Sequence, residues 1–479
     1  MNYPVWDVPH FGSGGMIAMI AVFHIMIAHF AVGGGLYLAL AEWRALRTGR
    51  REWFEFLPKH SKFFLILTGV FGAVSGVGIW FSIGLAAPEA TSTLIHNFVF
   101  GWAIEWVFFI IELTAAVVYY YTWNRIPEKL HLQVGWLYAF ASLATLVIIN
   151  GILTFMLTPG KTWLSVVGTG TEPNYFFAAF FNPTYWPSLA LRFFSCVSLA
   201  GVWALVTGSL IDGQTRPELK TDVIRWSARW LLPGFFFVPL CVVWYLWMVP
   251  AGRRELMELG VSTIGAGMFT QVTRTVLITV TSAATIVAVV YLAAYRNPTR
   301  FRIGYALGVL FLALLATGSA EQSRELLRKP FVIVDYMYSN SVRRLPVQRA
   351  GRKVAEVDMF NRDGYLSRSI WVTKAERQAW SKGPARTRGA ASEKPAAREK
   401  LILARGELMF RGQCMACHTV VGYRGMRRLV GDRNESAIRN ILNMLHDTKS
   451  KSPYHAFMPP LVGTEAEIDA LAHYLHQLR

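Results

Sequence analysis

The stretch GGMIAMIAVFHIMIAHFAVGGGLYLALAEWRAL, residues 14–46, decides the fold. From Gly14 to Ala41 it holds no Asp, Glu, Lys or Arg, and roughly 20 apolar residues suffice to cross a hydrocarbon core about 30 Å thick. Nothing basic precedes it, the run is too long for a signal peptide, and no small-residue cleavage site follows, so it reads as a helix that stays in the membrane. Seven further apolar runs have similar length, at about 60–86, 98–123, 134–158, 187–211, 229–250, 271–295 and 303–320. The composition agrees: 53% of the 479 residues are hydrophobic, 14% aromatic and only 16% charged, far from soluble usage. The expected class is all-α, a polytopic bundle of about eight transmembrane helices followed by a small all-α domain.

Charge placement orients the bundle, because short cytoplasmic loops collect Lys and Arg. Arg44, Arg47, Arg50, Arg51, Lys59 and Lys62 follow the first run, and Arg125, Lys129, Arg216, Lys220, Arg225, Arg229, Arg296, Arg300 and Arg302 follow at alternate connections. The intervening loops offer Lys161, Arg253 and Arg254. The N-terminus is therefore expected outside, and after eight crossings so is everything beyond about residue 325. Inner-loop basics and a linker rich in Arg, Lys, Ala and Pro account for much of the net charge of +18, so no nucleic-acid partner is implied. The expected division is 1–335 membrane domain, 336–395 basic, partly ordered and solvated linker, and 396–479 C-terminal domain.

Two of the four cysteines, Cys196 and Cys241, fall inside apolar runs and read as small buried groups. The other two form Cys414-Met415-Ala416-Cys417-His418, the C-x-x-C-H pattern of c-type haem attachment. Two thiols form thioethers with the haem vinyl groups and the adjacent histidine reaches the iron. The surroundings separate this from a redox dithiol or a zinc site. Residues 404–410 read as a helix leading into the motif, and Ile468, Leu471, Ala472, Leu475 and Leu478 make a helical stripe after it. Between them stands Phe457-Met458-Pro459-Pro460. Residues 400–479 thus resemble class I cytochromes c, and the resemblance implies Met458 as second axial ligand. Met426 and Met444, or His446 and His455, are the competitors. Haem c is assembled outside the cytoplasmic membrane, which agrees with the orientation read from charge.

Ionisable groups inside membrane spans are expensive and by default mark function. His24 and His29 lie on the first run, and Glu105 and Glu112 on the third, near one face and two turns apart. Counted from the outer ends, His24 and Glu105 sit at similar shallow depth, with His29 and Glu112 deeper, and Glu321 ends the eighth run. His10, His60, His96 and His131 fall at interfaces, where a histidine is usually solvated or among headgroups. His29 reads equally as a structural hydrogen-bonding group or a proton relay, and Arg192 as a partner for a carboxylate or lipid phosphate.

Residues 1 to about 335 resemble subunit I of the cytochrome bd oxygen reductases. The stretches that carry this are Val22-Phe23-His24 with Val32-Gly33-Gly34, Ala103-Ile104-Glu105 continuing to Phe109-Ile110-Ile111-Glu112, Asn150-Gly151, and Ala320-Glu321-Gln322-Ser323-Arg324. The resemblance implies His24, Glu105 and Glu321 as haem-iron ligands, Glu112 on a proton path, two noncovalent haems (haem b and haem d or b), and a second membrane subunit. The departures are informative. The glutamate pair stands one residue closer than in the family. The places of the family's low-spin haem ligands hold Arg192 and Val276, and no histidine occurs between His131 and His418. The outer connection that bears the family's quinol site is here only about residues 251–270.

The expectation is a subunit of a multi-pass complex in the bacterial cytoplasmic membrane, its cytochrome c domain on the periplasmic side. It would take electrons from a cytochrome c-type donor through covalent haem c and reduce O2 to water. The alternatives are a non-catalytic haem conduit within a larger respiratory complex, and reduction of another small molecule such as nitric oxide.

Overall fold

A computed structural model describes residues 6–255, 270–349, 351–369, 372–381, 395–448 and 452–478. Eight helices among these are long and apolar enough to cross a membrane, and the protein is a multi-pass helical membrane protein. They are α1 (Ser13–Thr48), α2 (Trp53–Ala86), α3 (Val99–Tyr121), α4 (Glu128–Phe155), α5 (Tyr185–Ser209), α6 (Pro217–Met248), α7 (Gln271–Tyr295) and α8 (Ile303–Arg328). The expected spans and these helices differ mainly at α6. Its first part, Pro217–Arg229, is amphipathic, and at Trp230 it gives way to the apolar Leu231–Met248. A π-helical turn, Leu67–Gly72, interrupts α2, a distortion that often marks a functional site.

Helix α1 is the centre of the bundle because three successive glycines let three neighbours approach it. A Cβ at Gly33 would lie 1.9 Å from the Cys196 carbonyl of α5, one at Gly34 2.7 Å from the Phe64 ring of α2, and one at Gly35 2.1 Å from the Tyr138 ring of α4. Lipid gives helices no hydrophobic reason to associate, so such close backbone packing supplies the attraction. Cys196 and Cys241 are buried and free, as their place in apolar runs implied.

The end of the bundle that carries the basic loops is closed by internal polar contacts. Tyr119 donates to Glu42 at 2.8 Å, and His131 Nδ1 lies 2.8 Å from the same carboxylate. His60 and His131 are therefore not the solvated interface groups expected: both are buried, and His60 Nδ1 lies 2.8 Å from Thr207 Oγ1. An aromatic cage of Phe56, Tyr37 and Phe30 around His60 explains the difference.

At the opposite end the chain leaves α8 and forms β1 (Phe331–Ile333) with β2 (Met337–Tyr338), β3 (Val347–Arg349) with β4 (Arg352–Val354), and helix α9 (Glu356–Asp363). The C-terminal domain follows as α10 (Pro395–Gln413), α11 (Glu435–His446) and α12 (Glu465–Gln477). Among the described residues of 336–369, several apolar side chains are packed into cores, unlike the solvated linker expected there. Ile333, Tyr336 and Met337 join a core with Phe155 and Trp163 of the membrane part, and Val342, Tyr365 and Leu366 join the core of the C-terminal domain. The buried Glu467 accepts from the backbone N–H groups of Tyr365 and Leu366 at 2.9 Å. Arg343 is bound by Glu89 at 3.1 Å and Glu356 at 2.8 Å. Arg343, one of the basic residues of the expected solvated linker, thus ties this segment to the membrane part. Residues 382–394 of the same expected linker lie outside the described residues.

Candidate functional site

The C-x-x-C-H segment turns tightly at the end of α10, with His418 N–H donating to the Cys414 carbonyl at 2.9 Å. His418 Nδ1 lies 3.1 Å from the Arg424 carbonyl, which can only accept, so Nδ1 carries the proton and Nε2 keeps its lone pair. Burial, first among the causes, holds the His418 ring below the usual imidazole range, so it is neutral at pH 7 and able to bind a metal. Burial also pushes the Cys414 thiol up to about 12. Met409, Phe410, Met415, Leu442, Leu461 and Leu471 give this segment an apolar shell. A protonated Nδ1, a free Nε2 and two cysteines on one turn beside apolar side chains fit a covalently attached haem.

His446 Nδ1 donates to the Leu461 carbonyl at 3.0 Å and His455 Nε2 to the Leu445 carbonyl at 3.3 Å. Met444 is 38% exposed on α11, which sets it apart from the core. Met426 packs against the core next to the attachment segment, its N–H bound to the Thr419 carbonyl. Met458 is half-buried, its N–H held by the Tyr454 carbonyl at 2.8 Å, two residues before the buried Pro460.

The attachment segment rests on the ends of α1 and α8. Tyr423 N–H donates to the His10 carbonyl at 2.8 Å, and a Cβ at Gly14, on the first turn of α1, would lie 3.4 Å from the Ala416 carbonyl. Lys329, just past α8, places Nζ 3.7 Å from Cys417 Sγ. Arg424 reaches Gln271 at the start of α7 at 3.4 Å.

Below these contacts lie the membrane residues. His24 Nδ1 is 3.0 Å from Ser75 Oγ, and that hydroxyl donates to the Phe71 carbonyl at 2.6 Å, so His24 Nδ1 is the donor and Nε2 is left with its lone pair. Gly76 faces the same ring, where a Cβ would come within 3.3 Å of Cε1. Helix α8 meets α1 near this level, Gly318 lying against Val22. Glu321 accepts from Arg324 Nε at 2.8 Å and stands 3.9 Å from Arg192. Arg192, where the resembled family has a haem ligand, lies 3.5 Å from His29 Nε2. His29, Arg192, Glu321 and Arg324 therefore form one cluster. His29 Nε2 accepts from that guanidinium, so it is engaged rather than open to a metal. The free Nε2 of His24 and the glycine facing it fit an iron-bound group on that side of α1.

Glu112 accepts from the Tyr138 hydroxyl at 2.8 Å. Glu105 is half-buried seven residues earlier on the same helix, with no hydrogen-bond partner shown among the described residues. Ser75, Tyr138 and Arg324 were not singled out from sequence. Arg324 was visible as the i+3 partner of Glu321. Ser75 is one serine in a glycine-rich apolar run, indistinguishable there from a hydroxyl that merely bonds its own helix. Tyr138 is hidden among 18 tyrosines.

Fold and site together define a multi-pass helical membrane protein whose residues suited to iron-bound groups gather at the end of the bundle that carries the C-terminal domain. Residues 15–245 match the family described as "Cytochrome bd terminal oxidase subunit I", so the membrane part is like that subunit. Among solved structures the chain is similar to the bd oxidase from Geobacillus thermodenitrificans, with a TM-score of 0.55 and 16% identity over 68% of this chain and 89% of that one, a likeness of fold. No match to a curated protein is found.

Proposed function

We propose that the protein is a subunit of a bd-type terminal oxidase fed by a cytochrome c-like donor rather than by quinol. Haem c on Cys414 and Cys417, ligated by His418 and Met458, would receive the electrons. His24 and Glu321 would hold haem iron in the membrane, with Glu105 beside them, and bound haems would supply the redox chemistry for O2 + 4 e⁻ + 4 H⁺ → 2 H2O. The observation that carries this reading is the seating of the attachment segment on the ends of α1 and α8. His24 lies ten residues along α1 from Gly14, about 15 Å, and Glu321 eight residues along α8 from Lys329, about 12 Å. A donor in that position makes an intermediate low-spin haem unnecessary, which accounts for Arg192 and Val276 in its ligand places. Within the chain, Ser75 would orient His24, Arg324 and Arg192 would pair with Glu321, and Glu112 with Tyr138 would pass protons from the basic, cytoplasmic end. A second membrane subunit belongs to this reading.

A pyridine haemochrome spectrum of the purified protein tests it: one haem c with noncovalent haem is expected, and haem c alone would reduce the membrane part to an anchor. Met458→Ala should leave the haem attached, lower its potential and abolish the methionine-ligated spectrum, since the axial ligand tunes the iron. Persistence of that spectrum would move the ligand to Met426 or Met444. Reduced cytochrome c should also outpace quinol as donor. The outer connection expected to be too short for a quinol site falls largely on residues 256–269, outside the described residues, so donor kinetics decide this point. Rapid quinol oxidation by protein lacking haem c would refute it.

A further inference from the structure

The end of the bundle remote from the C-terminal domain has an open cavity of about 520 Å³ between the end of α1 and the amphipathic first part of α6. Its lining includes Arg44, Arg50, Asp222, Arg225, Trp226 and Arg229. These arginines differ in what already holds them. Arg44 is locked between the rings of Trp53 and Trp226 and bound to both oxygens of Asp222 at 2.9 and 3.2 Å. Arg50 reaches the same carboxylate at 2.7 Å, as does Trp53 Nε1. Asp222 is thereby saturated. Arg225 and Arg229 meet no carboxylate among the described residues: Arg225 Nε donates to the Tyr295 carbonyl at 3.2 Å, and both guanidinium groups lie about 6 Å from the Tyr295 ring. Counting the exposed Glu218 at the rim, four positive charges face two negative ones.

We propose that this cavity binds the phosphate headgroup of an anionic phospholipid of the adjoining leaflet. Two guanidinium groups one turn apart suit a phosphodiester, which accepts several charge-assisted hydrogen bonds. The surface beyond them favours a lipid over free phosphate. Leu232 and Phe236 continue the line of Arg225 and Arg229 at helical spacing, and they are 51% and 61% exposed, an apolar track on which acyl chains can lie while Trp226 sits at headgroup level. Basic pockets between helices on the cytoplasmic side are suited to such headgroups, and the amphipathic Pro217–Arg229 places this one at the membrane surface.

The test is native mass spectrometry of the full-length protein in detergent with short-chain phosphatidylglycerol or phosphatidylcholine. Wild-type protein should bind phosphatidylglycerol at least about tenfold more tightly, because its headgroup keeps a net negative charge for the two unpaired arginines whereas the choline cation cancels that of phosphatidylcholine. The double variant Arg225→Gln/Arg229→Gln should lose that preference, while Arg125→Gln, at the same end but away from the cavity, should keep it. Unchanged selectivity in the double variant overturns the proposal. So does displacement of the lipid by inorganic phosphate at equal concentration, which would make the site one for a free anion. If the double variant does not fold, Leu232→Glu/Phe236→Glu, which leaves the arginines intact, should weaken phosphatidylglycerol without creating phosphate binding, and full retention of lipid would overturn the proposal equally.

Discussion

Cys414→Ala and Cys417→Ala should each abolish the normal two-thioether haem c, and the double variant should carry no covalent haem at all. Each thiol serves one vinyl group, so neither can replace the other. Both sit on the turn that also presents the free Nε2 of His418, so losing a thioether loosens the haem where its iron is held. Haem-stained denaturing gels give the result directly. With this attachment lost, oxygen uptake from reduced cytochrome c should fall to the protein-free rate, since the segment stands between any outer donor and the helices bearing His24 and Glu321. A wild-type chain that keeps no haem through denaturation would contradict the whole reading of residues 396–479.

His24→Ala and Glu321→Ala should have comparably large effects in the membrane, each removing or severely perturbing a noncovalent haem while haem c stays on the gel. An iron ligand must offer a lone pair. His24 is set up to do so because Ser75 accepts the hydrogen bond of the other ring nitrogen, Nδ1–H, and such supporting contacts are worth about 10- to 100-fold in metal affinity. Ser75→Ala should accordingly weaken the same haem without abolishing it. Glu112→Gln should instead keep the haems and slow turnover by roughly 100-fold, the usual scale of a lost proton-transfer group. Carbon monoxide binding and noncovalent haem content distinguish these outcomes. Full retention of both in the His24 and Glu321 variants would leave the bundle as an anchor for the cytochrome. Glu105 is the weakest ligand candidate, since the shortened spacing to Glu112 turns it by about 100° from the family pattern.

Much of this was legible in the amino-acid order because it rests on local rules. Eight apolar runs became eight helices, since crossing a membrane is a matter of length and composition. The Glu465–Gln477 helix followed from its apolar stripe. What was not legible depends on partners distant in sequence. Arg192 was seen as needing a carboxylate or phosphate, but that it meets both His29 and Glu321 comes only from the packing of α1, α5 and α8. His60 and His131 looked like interface histidines because nothing local announces a buried cage of aromatic rings or a carboxylate 89 residues away. The segment 336–369 read as part of a linker because its apolar residues show little periodicity among many basic ones, yet several of those apolar side chains find cores on both sides of it. Two of its arginines, Arg343 and Arg344, pair with Glu89 and Glu356 and with Asp335, which sequence distance conceals.

Oxygen uptake by the purified wild-type protein supplied with reduced soluble cytochrome c tests the central claim most directly. The expected result is sustained uptake, with four donor molecules oxidised per O2 and none of it surviving in the double variant Cys414→Ala/Cys417→Ala. A preparation with its haem c and noncovalent haems in place that consumes no oxygen above the protein-free rate would contradict the proposed function.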